Sequence, residues 1–304
     1  MFLGNANVTE QRMLTVSTTD SKQTDTAPVP NSRRLLVIKP VSGWQLVDLR
    51  ELWSYRDLFY FLVWREIKVR YAQSILGIGW AVVQPLFFMV VFTIVFGRLA
   101  NIGSDGIPYA VFSYTALVPW AYFSNALTDA TGSLLANTNL LTKVYFPRLI
   151  LPLSAVVGKL VDFAIAGILV IGFLLWYKIV PTIWILTLPF LVVLMMVTAA
   201  GIGMLLTALA VQYRDVKYAI TFLLQGAMYA SPVVYPVSKI PEEYRLAYAI
   251  NPMVGVIEGF RAAIIGVNPM PWDMIAIGTG VSVVLLIAGT FYFRRSERNF
   301  ADVA

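Results

Sequence analysis

The chain has 304 residues, of which 58% are hydrophobic and 13% are charged, with a mean hydropathy of +0.72. Because a soluble domain carries about 25% charged residues, this composition excludes an ordinary soluble fold and predicts an integral membrane protein. Cysteine and histidine are both absent, which excludes disulfides and thiolate ligands and removes the commonest metal ligand and proton shuttle. We therefore expect no bound metal and no histidine-assisted catalysis. We expect the net charge of +6 to interact with the membrane surface and not with nucleic acid.

Residues 1–50 are predicted to form a polar, flexible cytoplasmic tail. The first thirty are rich in Asn, Thr, Ser, Gln and Asp and lack the apolar core of a signal peptide. Residues 54–71 are aromatic and basic, which is typical of an interfacial helix at the lipid headgroups. An ordinary cytoplasmic helix is the alternative. Ser54 and Asp57 have the spacing of a helix-start capping box.

Six charge-free runs predict transmembrane helices. A hydrocarbon core of about 30 Å needs roughly 20 apolar residues at 1.5 Å rise each. The runs are 72–97, 106–128, 163–177, 179–213, 218–238 and 274–293. The third run is long enough only if its helix extends back through Asp162 and Lys159 to about Leu149. We therefore expect a six-helix transmembrane domain over residues 51–295, with Pro85 inside the first span.

The distribution of Lys and Arg predicts that both termini are cytoplasmic. With six crossings and the N-terminus inside, fifteen of the basic residues from Arg33 onward fall inside and five outside, and the positive-inside rule counts these residues near span ends. The inner set is Arg33, Arg34, Lys39, Arg50, Arg56, Arg65, Lys68, Arg70, Lys143, Arg148, Arg214, Lys217, Arg294, Arg295 and Arg298. The outer set is Arg98, Lys178, Lys239, Arg245 and Arg261. Residues 296–304 then form a short cytoplasmic C-terminal tail.

Two connecting segments have unusual composition. Residues 132–147 form a short, partly amphipathic cytoplasmic segment that ends at Pro147. Residues 237–271, on the outer side, combine several prolines and charges with apolar stretches. This mixture predicts two short helices that dip partly into the membrane, where non-helical backbone must be surrounded by protein or water.

Lys159 and Asp162 are the charges inside a predicted span. They are three residues apart and can pair on one helix face, so we interpret them as an ion pair near the cytoplasmic end. A proton relay is the alternative, and it would need more ionisable partners.

Many aromatic residues lie in the spans. Their rings either line a channel and slide past sugar faces or pack against lipid. The candidates for channel aromatics are Phe88, Phe92, Tyr218, Phe222, Tyr229 and Tyr235.

No nucleotide site is visible, because the chain has no G-x-x-x-x-G-K-[ST] loop. Active transport would therefore use a partner or an ion gradient. A gradient-driven carrier usually has several buried carboxylates, and only Asp162 qualifies in the spans. A separate ATPase is the favoured interpretation.

Several segments together resemble the ABC type-2 permeases that export polysaccharides, including O-antigen, capsule and teichoic acid. They are WREIKVRYAQSILGIGWAVVQP (64–85), LLANTNLLTKVYFPRLILPLS (134–154), LVDF (160–163), YRDVKY (213–218), SPVVYP (231–236) and NPM (251–253). They occur in the family's order over about residues 50–295, and their combination is specific. The leading tail of about 50 residues is outside the family's pattern.

The resemblance implies an ABC type-2 exporter fold, a homodimer in the cytoplasmic (inner) membrane, and an ABC ATPase partner that binds ATP and Mg. No cofactor is expected in this chain. Residues 132–147 would be the coupling helix that docks into the ATPase. The implied ATPase contacts are Asn139, Lys143, Phe146, Pro147 and Arg148.

The resemblance also implies a lipid-linked glycan as the cargo. Residues 54–71 would lie where this cargo is loaded, and basic side chains there suit its diphosphate. Positive-inside anchoring is the alternative role. The implied loading residues are Arg65, Lys68, Arg70 and Tyr71. The outer helices over residues 237–271 would be re-entrant gates that include Pro252, Glu258 and Arg261.

Two other functions stay open at this point. An exporter of small lipids or drugs would share this architecture without needing a polymer-sized channel. A membrane glycosyltransferase-like enzyme would need an acidic cluster for a metal or a base. The largest candidate, Glu242 with Glu243, lies in a loop beside Lys239 and Arg245, as a solvated surface would.

Overall fold

The computed structural model describes residues 49–72 and 77–297, and every regular element in those ranges is helical. The predicted all-α class is confirmed for this part of the chain. The predicted tail over residues 1–50 lies outside the described residues except for its last two positions. The C-terminal tail 296–304 lies outside them after residue 297.

Twelve α-helices are numbered here in chain order over the described ranges. They are α1 (Leu49–Ser54), α2 (Arg56–Tyr71), α3 (Trp80–Phe92), α4 (Tyr109–Ala136), α5 (Thr138–Leu141), α6 (Ile150–Gly158), α7 (Leu160–Tyr177), α8 (Leu188–Gln212), α9 (Val216–Tyr229), α10 (Glu242–Tyr248), α11 (Pro252–Ile264) and α12 (Trp272–Ser296). Pro85 lies inside α3, which continues as π-helical turns over Thr93–Leu99. Short 3₁₀ turns occupy Gly77–Gly79, Ile183–Thr187 and Val237–Lys239.

The helix predicted over residues 54–71 corresponds to α2, which begins two residues later at Arg56, and Ser54 is the last residue of α1. The predicted capping box is wrong: the Ser54 hydroxyl donates to the Glu51 carbonyl at 2.7 Å in the last turn of α1. Tyr55 precedes α2 and makes no side-chain capping bond. The exposed aromatic side chains of α2 are Tyr60, Phe61 and Trp64. This surface suits the lipid headgroup zone.

Four helical stretches are long and apolar enough to cross a bilayer. They are Trp80–Leu99, Ile150–Tyr177, Ile183–Gln212 and Trp272–Ser296, which correspond to the first, third, fourth and sixth predicted runs. The stretch Ile150–Tyr177 contains α6 and α7 in series, so the third helical stretch does extend back past Asp162 and Lys159, as the sequence predicts.

The second predicted run forms α4, which lies at the centre of the helix packing. α4 contacts α3, α6, α7, α8, α9 and α11, and most of its side chains are buried. Its Tyr114 and Tyr122 hydroxyls donate to the carbonyls of Ala166 at 3.2 Å and Val156 at 3.0 Å. Because α4 is enclosed by protein, it does not need a surface that matches lipid, and it can be more polar than the four stretches.

The fifth predicted run forms α9, which is shorter than predicted. α9 has 14 residues, or about 21 Å at 1.5 Å per residue. After Tyr229 the chain turns, and residues 231–234 are buried in a non-helical segment. Pro232 and Pro236 lack the backbone N–H that would continue a helix.

α8 and α12 make the most extensive helix contact, and glycines bring their backbones together. A Cβ on Gly289 would overlap the Gly201 carbonyl oxygen, and a Cβ on Gly201 would lie 2.6 Å from the Leu286 nitrogen. The hydroxyls of Thr198 and Ser282 are 2.7 Å apart across the same interface. Small residues permit this close approach between membrane helices, whose association depends on packing and polar contacts.

Candidate functional site

Four ionisable side chains meet where α2 reaches the helix bundle, and we call them the charge cluster. They are Arg70 of α2, Asp129 of α4, Lys159 between α6 and α7, and Asp162 of α7. The Arg70 guanidinium lies 3.0 Å from a carboxylate oxygen of Asp129 and 3.0 Å from one of Asp162. Lys159 Nζ lies 2.9 Å from Asp129 and 3.7 Å from Asp162. Two positive charges and two negative charges thus neutralise one another.

Tyr71 attaches the end of α2 to the same cluster. Its hydroxyl donates to the Asp162 carboxylate. Burial raises the pKa of Tyr71 to about 12, and the hydrogen bond to Asp162 and the negative charge of that carboxylate act in the same direction. The phenol therefore stays protonated at neutral pH and remains a hydrogen-bond donor.

The sequence predicts only the pairing of Lys159 with Asp162 and misses the other half of the cluster. Asp129 is the first residue after the charge-free run 106–128, and its position at the same membrane end as Lys159 was the available signal. The resemblance implies that Arg70 meets an anionic cargo, yet its guanidinium is bound to two carboxylates. Each charge in the cluster has a partner of opposite sign, which favours the ion-pair interpretation over a relay.

The four predicted loading residues have different surroundings. Arg70 and Tyr71 are bound in the charge cluster. Arg65 donates to the side-chain oxygen of Asn137 and, at 3.3 Å, to Glu66. The Lys68 side chain is exposed and makes no hydrogen bond or ion pair within residues 49–72 and 77–297. Of the four, Lys68 is thus the one with an unpaired charge in the described ranges.

A cavity of about 190 Å³ lies beside the charge cluster, between α3, α4 and α7. Three members of the cluster, all except Asp129, line its wall together with Tyr71. Gln84 and Asn125 also line it, and their side-chain amides make no hydrogen bond with any other part of the chain that the structure describes. Trp80, which is 56% exposed, lies at the edge of the cavity.

The predicted coupling segment, residues 132–147, comprises the end of α4, a break at Asn137, the one-turn helix α5 and a loop. Phe146 is 4% exposed and Pro147 is buried, so both side chains pack inside the chain. The exposed side chains of its tip are Asn139, Thr142, Lys143, Val144 and Tyr145. A partner protein can therefore contact these five, while Phe146 and Pro147 hold the segment in place.

Arg148 joins the coupling segment to the end of α12. Its Nη1 donates to the Glu297 carbonyl oxygen at 3.0 Å. Burial raises the pKa of the Glu297 carboxyl group. Arg148 is half-buried and so acts between two elements of this chain.

The predicted channel aromatics fall into two groups. Phe88, Phe92 and Phe96 form a stripe on α3 with ring centroids 5.9 and 5.5 Å apart. Tyr229 of α9 packs on this stripe, 6.4 Å from both Phe92 and Phe96. Phe92 is 2% exposed, so this first group is held in place by mutual packing.

The second group is exposed on α9. Tyr218 and Phe222 are 80% and 75% exposed and lie one turn apart. Ile220 and Leu224 are the only buried residues of this helix. Tyr235 lies beyond α9, and its hydroxyl is 3.0 Å from that of Tyr248.

The predicted outer gate residues are internal to the chain. Every residue of α11 is buried, and Pro252 is its first residue. Arg261 Nη1 lies 2.7 Å from Glu258, and its Nη2 donates to the Val233 carbonyl at 3.0 Å. The guanidinium carbon is also 3.6 Å from the centre of the Phe112 ring. Glu258 and Arg261 therefore fix α11 to α4 and to the buried segment after α9.

The family model for the ABC-2 type transporter matches residues 57–265, from α2 to the end of α11. This match covers more than half of the chain. The chain belongs to the ABC-2 type transporter family. The resemblance inferred from the sequence motifs is confirmed.

Relatives of this ABC-2 chain are similar to it over most of their length. The O-antigen export system permease protein RfbA of Myxococcus xanthus is 31% identical over 256 residues, which cover 84% of this chain and 98% of that protein. RfbA of Klebsiella pneumoniae is 26% identical over a region that covers 81% of this chain and 95% of that protein. The polysialic acid transport protein KpsM of Escherichia coli is 24% identical over a region that covers 66% of this chain and 78% of KpsM.

The family assignment settles the class of function. An ABC-2 chain is a multi-pass membrane component of a transporter and has an ABC ATPase as its partner. This chain is therefore a transport subunit and not an enzyme, as the sequence predicts. The glycosyltransferase-like alternative is set aside.

Proposed function

We propose that this ABC-2 chain is the membrane subunit of an ATP-driven exporter that moves a lipid-linked polysaccharide across the cytoplasmic membrane. The observation that carries the proposal is that relatives named for O-antigen export are similar over more than four-fifths of the chain. A relative named for polysialic acid transport extends the similarity to capsule-type polymers. O-antigen and capsule are thus favoured classes of cargo, with teichoic acid as a further class.

We further propose six membrane crossings with both termini cytoplasmic. The four apolar stretches supply four crossings, and α4, with 28 residues, is long enough for a fifth. α9 and the buried residues 231–234 would form the sixth, because non-helical backbone is tolerated in a membrane where protein surrounds it. The preponderance of Lys and Arg at the α2 end of the bundle supports the orientation.

The exposed surface of α9 supports the further proposal of a homodimer. Its exposed side includes Lys217, Thr221 and Gln225 beside the aromatic rings. Polar side chains are unfavourable against lipid, so this side is covered by a second copy or lines a wet channel between two copies. Tyr218, Phe222 and Tyr229 would then contact the passing glycan, with Phe88 and Phe92 supporting them from α3 and Tyr235 lying near the outer end.

The ATPase partner would bind ATP and Mg and dock at the tip of the coupling segment. Its contacts would be the exposed Asn139 and Lys143, and we add Val144 and Tyr145. Phe146, Pro147 and Arg148 would transmit the motion, because they join the tip to the packed interior and to α12. The residues of the outer gate would move with α11 as one unit.

Deletion of the gene tests the proposed function. Loss of the chain should abolish surface polysaccharide while its lipid-linked precursor accumulates inside the cell, and plasmid-borne wild-type chain should restore export. An exporter of small lipids or drugs would instead give changed lipid composition or drug sensitivity with normal surface polysaccharide, and that outcome would refute the proposal.

A further inference from the structure

We infer that the cavity beside the charge cluster binds the sugar ring nearest the lipid of the exported molecule. The adjoining apolar groove on α3 would receive the first part of the lipid chain. This inference rests on the proposed function, from which it takes the class of cargo. It adds three residues that the sequence motifs do not assign, namely Trp80, Gln84 and Asn125.

The first observation is the pair of amides without partners. Gln84, which is exposed, and Asn125, which is half-buried, line the cavity, and neither amide is hydrogen-bonded within the described ranges. Gln84 also lies inside the apolar stretch Trp80–Leu99, where a polar side chain facing a cavity is expected to have a function. An amide offers both donors and an acceptor, and a sugar hydroxyl offers the same combination.

The second observation is the charge of the cavity wall. The cluster is neutral as a whole, but Asp129 is not part of the cavity wall. The wall itself therefore has two positive charges, Arg70 and Lys159, and one negative charge, Asp162. A polyhydroxyl ring placed here would find both charged and neutral hydrogen-bond partners. The excess positive charge of the wall would also suit the diphosphate that joins this ring to the lipid.

The third observation is the size and shape of the cavity. About 190 Å³ is smaller than the roughly 300–1,000 Å³ of pockets that hold drug-sized ligands, so it suits one ring and not an oligosaccharide. Trp80 at its edge offers a flat apolar face, on which the C–H face of a sugar can pack.

The fourth observation distinguishes a lipid-linked sugar from a free one. A groove of about 280 Å³ on α3 is lined by Trp80, Val83, Gln84 and Phe87. It shares Trp80 and Gln84 with the polar cavity, and Val83 and Phe87 are 40% and 63% exposed. A cavity with charged and amide side chains and an apolar groove, which share the wall formed by Trp80 and Gln84, match a molecule whose sugar is joined through a diphosphate to a hydrocarbon chain.

Photo-crosslinking in the assembled exporter tests this inference. p-Benzoylphenylalanine replaces Trp80 in cells that make the ATPase partner, and the glycan is labelled with tritiated sugar. The matched control replaces Leu175, which is 76% exposed near the other end of α7. We expect a tritiated adduct at position 80 and none at position 175. Gln84→Leu with Asn125→Leu should lower the adduct yield about tenfold or more, as expected for two lost hydrogen bonds.

The possible outcomes distinguish a failure of the cavity assignment from a failure of the proposed function. Adducts only with phospholipid, an adduct of equal yield at position 175, or a yield unchanged in the double variant would refute the cavity assignment. These results leave the proposed function intact as long as gene deletion abolishes surface polysaccharide. If deletion has no such effect, the proposed function itself fails. Val83 is the alternative labelling position should the variant at position 80 fail to assemble.

Discussion

Lys159 Nζ lies 2.9 Å from the Asp129 carboxylate of α4, which is closer than its 3.7 Å distance to Asp162 three residues along its own chain segment. The ion pair of Lys159 with α4 is thus shorter than its ion pair with the neighbouring helix α7. Because Arg70 also binds both carboxylates, the charge cluster joins α2 to two helices of the bundle. A motion of α2 must move these charges or break the cluster.

Asp129→Asn should destabilise the chain. The substitution keeps the size of the side chain but leaves Arg70 and Lys159 with one carboxylate between them. We expect a loss of about 1–3 kcal/mol, the range for hydrogen bonds to charged groups in a partly buried site, measured by thermal unfolding in detergent. The control is Asp57→Asn, because the Asp57 side chain is 93% exposed and such surface pairs contribute little. Equal unfolding temperatures for Asp129→Asn and wild type would contradict the role of the cluster.

Gly289→Ala should weaken the contact between α8 and α12. The added methyl group would overlap the Gly201 carbonyl, and overpacking of this kind costs typically about 1–3 kcal/mol. Gly280→Ala in the same helix is the matched control, because a Cβ there meets nothing within 4 Å and alanine favours helix. The measurement is the unfolding temperature of each variant in detergent. The prediction fails if the two variants are equally stable.

Lys143→Ala with Tyr145→Ala should reduce binding of the ATPase without unfolding the chain. Both side chains are exposed at the tip of the coupling segment, and tyrosine is enriched among the few interface residues whose truncation costs about 2 kcal/mol or more, which is at least tenfold in affinity. The measurement is the amount of ATPase that co-purifies per membrane subunit. Phe146→Ala is not a clean probe, because Phe146 is 4% exposed and truncating a buried Phe costs about 3–5 kcal/mol.

Normal co-purification of the ATPase with the Lys143 and Tyr145 double variant would place the docking surface elsewhere. A useful control is Tyr244→Ala, since Tyr244 is 59% exposed in α10, near the outer helices. That substitution should leave ATPase binding unchanged.

Arg261→Met should be more damaging alone than together with Glu258→Gln. The single variant leaves the buried Glu258 carboxylate without its partner, and breaking a buried ion pair in this way costs about 3–5 kcal/mol. The double variant removes both charges, so part of the stability should return. A double-mutant cycle of unfolding temperatures measures this coupling. If the effects of the two single variants simply add, the two residues are not coupled.

The sequence predicts the broad organisation well because transmembrane helices produce long, regular signals. The runs 72–97, 179–213 and 274–293 match observed apolar stretches, and the backward extension of the third run to about Leu149 is confirmed by α6 and α7. α9 is shorter than its run because Pro232 and Pro236 follow it closely. Charge-free composition alone does not reveal where a helix stops inside a buried segment.

The site is less predictable, since contacts between helices depend on rotations and tilts that no local pattern encodes. Asp129 lies 59 residues from Arg70, and nothing in either neighbourhood predicts their contact. The family resemblance implies that Phe146 is an exposed contact of the ATPase, but in the structure its side chain is buried. Conversely, Gln84 belongs to the segment 64–85 that resembles the family, but the segment gives it no role, and only the structure shows the cavity beside it.

The central claim is that this chain exports a lipid-linked polysaccharide using ATP hydrolysed by a separate ATPase. The most direct measurement reconstitutes the chain with its ATPase partner in proteoliposomes and follows how much of a labelled lipid-linked glycan, initially accessible on the ATPase side, reaches the other side. We predict movement that requires ATP, Mg and both proteins. Movement by the membrane subunit without the ATPase, or no movement with both proteins and ATP present, would contradict the account.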